Sequence, residues 1–107
     1  MIADFERIDL ARNAVAEWLA LDNDQEVNGA RTSEALANSF FQVAKAAGFA
    51  MGIVVTEAGY SARWSHPRVR GSEMPHSLAA KDMDDARVLA CEALLRNRAT
   101  LHLLNRL

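Results

Sequence analysis

The side chains that could bind a transition metal are His66, His76, Cys91 and His102. Zinc sites usually draw their ligands from closely spaced pairs, such as Cys-x-x-Cys or the two histidines of His-Glu-x-x-His. None of these four residues has a companion at such a spacing, and Cys91 lies in an apolar segment. The sequence therefore predicts no metal site and no cofactor.

Residue types used in nucleophilic and acid–base catalysis are present, but their spacing does not suit catalysis. No serine lies in a Gly-x-Ser-x-Gly turn. Asp84 and Asp85 are adjacent in a predicted helix, so their side chains diverge by about 100° and do not face each other. Gly48 and Gly52 precede a predicted strand, and no Lys-Ser or Lys-Thr pair follows them, so they do not form a phosphate loop. We predict that the protein is not an enzyme.

One segment combines arginines with aromatic side chains. Residues 63–71 read Arg-Trp-Ser-His-Pro-Arg-Val-Arg-Gly, they follow Tyr60, and the next acidic residue is Glu73. Arginine and tryptophan are favoured at the energetic centres of protein interfaces. We name residues 63–70 the arginine loop and expect it to bind a bacterial or phage protein. The predicted contact residues are Arg63, Trp64, His66, Arg68 and Arg70.

The alternative is that the arginine loop binds nucleic acid. Arginines contact phosphates, and an aromatic ring can stack on a base. However, three arginines neutralise only a few phosphates, and Tyr60 and Trp64 fall on the predicted core face of their strand. The formal charge of −2 also provides no overall basic field. Protein binding is therefore the first prediction, and an accessory role on nucleic acid is the second.

Length and composition predict one domain over residues 1–107, because half of the residues are hydrophobic and a single modest core can form. The one cysteine, Cys91, can form no disulfide within the chain, which fits a reducing compartment. The start of the sequence carries acidic residues where a signal peptide has a basic and then an apolar run. No window approaches the length of an apolar membrane span. We predict a cytoplasmic protein that does not act on membranes.

Two helices are predicted to come first. Asp4 caps a helix that runs to Leu21, with apolar residues on one stripe and polar residues such as Arg7 and Arg12 facing water. Thr32 or Ser33 caps a second helix over residues 33–47, which Gly48 ends.

The apolar period then changes from that of a helix to that of a strand. Residues 49–57 and 60–65 predict a β-hairpin with Ala58 and Gly59 as its loop. That loop places Ile53 opposite Trp64 and Val55 opposite Ala62. A short third strand over residues 76–79 is an alternative to a continuous loop. The 60–65 strand is expected to be the open edge of the sheet, and we expect this edge to pair in a homodimer or to bind a partner protein.

The clearest element is a helix over residues 82–96, which Asp82 caps. It is apolar around most of its circumference, and only Asp85, Glu92 and Arg96 form a polar strip. Such a helix should be covered on two sides, so we place it at the centre of the fold. After Arg96, Asn97 and Arg98 interrupt the apolar surface, and the leucines that follow are predicted to form a helical continuation or a bent final turn. The predicted fold is α+β, with two N-terminal helices, an antiparallel hairpin and a long C-terminal helix on one face of the sheet.

Two stretches resemble the C-terminal half of small bacteriophage "ABA sandwich" domains. They are Tyr60-Ser-Ala-Arg-Trp-Ser, followed by a glycine-containing loop, and Ala86-Arg-Val-Leu-Ala-Cys-Glu-Ala-Leu-Leu. The resemblance implies a phage or prophage accessory protein without catalytic residues. Small phage proteins of this kind often bind and block a bacterial protein, including CRISPR effectors, so the resemblance implies an inhibitor.

Overall fold

The fold consists of four helices and a two-stranded antiparallel sheet. A computed structural model describes residues 2–22, 32–71, 74–75 and 77–104. The elements are α1 (Phe5–Asp22), α2 (Ser33–Ala46), β1 (Ala50–Thr56), β2 (Gly59–Ser65), α3 (Met83–Arg96) and α4 (Arg98–Leu104). The predicted α+β class is confirmed.

Local sequence signals set the ends of the first two helices. The Asp4 carboxylate accepts a hydrogen bond from the Arg7 amide at 2.8 Å, and the Thr32 hydroxyl accepts one from the Ala35 amide at 3.1 Å. Each side chain pairs an amide that the first helical turn leaves unbonded. Gly48 follows α2 with a φ of +97°, the left-handed conformation that glycine adopts most easily. These capping predictions are confirmed.

The helix α3 lies at the centre of the molecule, as predicted. It packs against α1 and α2 and also against β2. Its buried side chains are Ala86, Val88, Leu89, Ala90, Cys91, Glu92 and Leu94. Burial raises the pKa of the Cys91 thiol, because a thiolate would lose its hydration there. The thiol is therefore uncharged and shielded.

The predicted polar strip of α3 is wrong in one respect, because Glu92 is buried. The Arg7 guanidinium donates to both carboxylate oxygens of Glu92, at 3.0 Å and 2.5 Å. This hydrogen bonding raises the pKa of Arg7. A second link joins Arg12 to the Ser33 hydroxyl at 2.8 Å and to Asp85 at 3.3 Å. Polar residues assigned to solvent on α1 therefore bind α3.

The β-hairpin forms, but its predicted register is wrong by two residues. Met51 pairs with Trp64, Ile53 with Ala62, and Thr56 with Gly59, so the loop is Glu57-Ala58. A shift of two residues keeps every side chain on its predicted face, and the hydrophobic pattern does not exclude it.

Gly59 belongs to β2 because another segment passes close to it. Its φ is +136°, and a Cβ at this position would lie 2.2 Å from the Ala80 carbonyl oxygen. Tyr60 exchanges two backbone hydrogen bonds with Ala80, at 2.8 and 2.9 Å. Only a glycine fits this approach of two backbones. The contact with residue 80 therefore sets the register.

The second edge of β2 is covered, so the prediction that the 60–65 strand is the open edge is wrong. The Ser77 amide donates to the Ala62 carbonyl at 2.9 Å, and the Ser77 hydroxyl accepts from the Ala62 amide at 2.9 Å. Residues 77–80 form isolated bridges rather than the predicted third strand, and His76 lies outside the described residues. Ile2 adds a parallel bridge to Ala79. Among residues 2–22, 32–71, 74–75 and 77–104, none pairs with the outer edge of β1.

The predicted C-terminal helix over residues 82–96 is α3, but it is not the last helix, because residues 98–104 form α4. Asn97 separates them with extended backbone angles, φ −96° and ψ 111°. Its side chain accepts hydrogen bonds from the Ala99 and Thr100 amides at 3.0 and 3.3 Å, which makes it the cap of α4. The buried Thr100 hydroxyl donates to the Leu94 carbonyl at 3.1 Å. The Asn97 side chain thus bonds the amides at the start of α4 that have no partner within that helix.

Candidate protein-binding surface

The alternation of β2 places Arg63 outside and Trp64 inside. Arg63 and Ser65 are exposed on one face of the strand, while Ala62 and Trp64 are buried on the other. Arg63 lies opposite Gly52 of β1, which has no side chain to cover it. The strand therefore presents the Arg63 guanidinium on the face of the sheet that turns away from the helices.

Trp64 is a core residue, with 3% of its surface exposed. Its indole N–H donates to the Ala90 carbonyl of α3 at 2.7 Å. Its ring packs against the rings of Phe40, Phe41 and Phe49, with centroids 5.9 to 6.3 Å apart. Trp64 therefore cannot touch a partner or stack on a base, and its part in the predicted surface is to hold β2 against α3.

His66 begins the turn that carries Arg68. The His66 carbonyl accepts a hydrogen bond from the Val69 amide at 3.1 Å, and Pro67 follows it in the position that proline favours in such turns. The imidazole Nδ1 accepts from the Arg68 amide at 3.1 Å, and Nε2 lies 2.9 Å from the Ala47 carbonyl. These two bonds select the tautomer with the proton on Nε2. His66 thus fixes the turn and only partly faces solvent.

The three arginines of the loop differ from those of α1 and α3. Arg7, Arg12, Arg87 and Arg96 each pair with a carboxylate. Arg63, Arg68 and Arg70 are exposed, and none of them forms an ion pair with residues 2–22, 32–71, 74–75 or 77–104. Their charges are therefore available to an acidic group from outside the described structure.

An open groove of about 340 Å³ lies beside the turn, between the end of α2 and α4. Most of its surface is apolar, and Arg68 contributes a charged side chain to it. The residues that line it are Ala46, Ala47, Gly48, His66, Pro67, Arg68 and Leu103. Leu103 belongs to α4, a helix that the predicted order of elements did not include. The groove can hold a short apolar side chain next to an acidic group.

The outer edge of β1 is a second accessible surface, which was not predicted from the sequence. Val55 is 76% exposed and Ile53 is 38% exposed. These apolar residues are exposed because the helices pack over β2 rather than β1. The absence of charged residues from β1 is the sequence signal that could have indicated an edge used for pairing.

The described part of the chain brings no three His, Cys, Asp or Glu side chains together in a group that could hold a metal ion. None of its helices combines the length and apolarity needed to cross a bilayer.

Comparison of the chain with protein-family models, with curated proteins and with solved structures found no match. The resemblance to phage domains stays a prediction.

Proposed function

We propose that this chain is a non-catalytic module that binds a partner protein through the arginine loop. The observation that carries the proposal is that Arg63, Arg68 and Arg70 are exposed and have no carboxylate partner within the described ranges, whereas the arginines of α1 and α3 are paired. Arginine contributes strongly at interfaces because its planar group binds a carboxylate through two hydrogen bonds.

The residues that line the groove indicate which kind of partner segment it can bind. A mostly apolar groove that Arg68 helps to line suits a segment that carries a small apolar side chain next to an aspartate or glutamate. The turn at His66 and Pro67 holds the backbone of Arg68 in place, so less loop entropy is lost on binding. The proposed partner is therefore a protein with an exposed acidic and apolar segment.

The resemblance to phage domains supports a bacterial protein as that partner, with inhibition as the outcome of binding. A CRISPR effector is the most specific example of this class. In this proposal the module contributes no reacting group and acts by occupying a surface of its target.

The test is to recover a partner from bacterial lysate, purify it and measure its affinity for variants of this protein. Arg68→Ala and Arg63→Ala should each weaken binding about tenfold, the effect of losing about 1.4 kcal/mol at an interface. Lys81→Ala is the matched control, because it also removes one exposed positive charge but lies beside Gly59, at the opposite end of β2. Equal affinities for all three variants would exclude the arginine loop as the contact surface.

Nucleic-acid binding is the second candidate, and the same three exposed arginines favour it. The burial of Trp64 counts against it, since this ring cannot stack on a base. Titration of DNA and RNA at increasing salt concentrations separates the two functions. Binding that falls steeply with salt and weakens in Arg68→Ala and Arg70→Ala would favour nucleic acid over a protein partner.

A further inference from the structure

The outer edge of β1 carries backbone N–H and C=O groups that no described residue bonds. Tyr60 lies opposite Val55 but exchanges both of its backbone hydrogen bonds with Ala80 on its other side. In an antiparallel ladder, alternate residues direct their N–H and C=O groups to opposite sides. Those of Met51, Ile53 and Val55 therefore point away from β2, and no described residue bonds to them.

The side chains of this edge are not those of a protected edge strand. Natural proteins prevent unwanted pairing with lysine, proline, charged residues or a covering segment. β1 reads Ala-Met-Gly-Ile-Val-Val-Thr and contains neither charge nor proline. Met51 and Ile53 also line a small groove of about 210 Å³ with Phe41 and Arg87, on the side of the sheet that faces the helices. This edge can form backbone hydrogen bonds and bury apolar surface at the same time.

We propose that β1 pairs with β1 of a second copy of this chain about a two-fold axis at Ile53. In this register Ile53 lies opposite Ile53 of the second copy, and Met51 lies opposite Val55 of the second copy. Each of these pairs has both backbone groups on the free edge and exchanges two hydrogen bonds. The side chains that meet are all apolar, and Val55 of the second copy lies at the mouth of the groove beside Met51 and Phe41.

The charges at the two ends of β1 favour a second copy in antiparallel orientation. Exposed Glu57 follows the strand at one end. The arginine loop lies at the other end, because Ser65 pairs with Ala50 and the His66 ring reaches Ala47. Two-fold pairing brings Glu57 of each copy toward Arg68 of the other. Parallel pairing would instead bring like charges together, at a cost in free energy.

The contact between the two copies is small, which predicts a weak association. A pair of seven-residue strands buries less than the roughly 1,200 Å² of a standard stable interface, so the association should be weak and reversible. We expect monomers at low micromolar concentration and dimers toward millimolar concentration, with a central four-stranded sheet in the order β2-β1-β1-β2.

The first test is sedimentation of the full chain over that concentration range. Val55→Lys should weaken the association at least about tenfold, because it places a charge opposite Met51 of the second copy. The side chain of Val55 is 76% exposed, so the folded monomer should keep its melting temperature. Leu10→Lys is the matched control, since Leu10 is 61% exposed on α1, and it should dimerise like the unmodified chain.

The second test uses amide hydrogen exchange and does not depend on a variant. The amides of Met51, Ile53 and Val55 should gain protection as the protein concentration rises, while the Tyr60 amide, bonded to Ala80, should be protected throughout. A monomer at every concentration would overturn the proposal. It would also be overturned by a dimer that Val55→Lys leaves intact, by equal losses in Val55→Lys and Leu10→Lys, or by exchange at β1 that does not change with concentration.

Discussion

At the scale of single residues, the polar side chains of α1 and α3 hold the two helices together. Helical periodicity assigned Arg7 and Glu92 to solvent because both are charged. In the structure each is the other's partner across 85 positions of sequence, and Glu92 is buried. A pattern within one helix contains no information about a charge on another helix. Such a pair could not be predicted from either segment alone.

The pair predicts a destabilising effect for Glu92→Ala. This change leaves the Arg7 guanidinium half-buried without its partner, so the free energy of unfolding should fall by about 1–3 kcal/mol. Glu17→Ala is the control, because Glu17 is an exposed acid on α1, and its effect should stay within about 0.5 kcal/mol. Urea denaturation measures both. Similar values for the two variants would show that the Arg7–Glu92 contact contributes nothing to stability.

At the scale of elements, local signals placed the helices and strands but did not set the hairpin register. Capping residues and glycines act within a few positions, so Asp4, Thr32, Gly48 and Asp82 marked their boundaries correctly. The alternation of side chains fixes only which face each residue occupies, and a slip of two residues satisfies it equally well. The contact between Gly59 and Ala80, twenty-one residues apart, selects the actual pairing.

The hairpin predicts opposite outcomes for two glycine substitutions. Gly59→Ala should destabilise the fold by about 1–3 kcal/mol or more, because of its positive φ and the approach of the Ala80 carbonyl. Gly52→Ala should be neutral or slightly stabilising, since a Cβ there meets no atom within 4 Å. Thermal unfolding of both variants checks this. An equal loss of stability in both variants would show that an added methyl group anywhere in the hairpin is destabilising, and that the contact with residue 80 is not the cause.

The exposed arginines of the candidate site could be predicted, because the strand and the turn that carry them have clear sequence signals. Alternation along β2 exposed Arg63, and the Pro67 turn exposed Arg68 and Arg70. The groove beside them was not predictable, because Leu103 of α4 lines it together with residues 46–48, and a pattern within one segment contains no information about contact with another. The sequence therefore indicated the arginine loop but not the apolar groove beside it.

At the scale of the whole molecule, α3 connects every layer of the core. Leu94 is fully buried in the one cluster that joins the helices to β2. Leu94→Ala should therefore lower the free energy of unfolding by about 2–5 kcal/mol, the usual cost of such a cavity. Leu10→Ala removes the same atoms from an exposed position and should change the stability far less. Equilibrium denaturation compares the two, and a small effect at Leu94 would contradict the central placement of α3.

The position of α3 in the chain also determines when folding can finish. A ribosome produces α1, α2 and both strands before it reaches residues 83–96, and until then their apolar surfaces have no common partner. Phe40 contacts the rings of both Trp18 and Trp64 in the folded protein, and we expect these contacts to form only when that helix is present. Nascent chains stalled before residue 83 should therefore be sensitive to protease and show the tryptophan emission of a solvated indole.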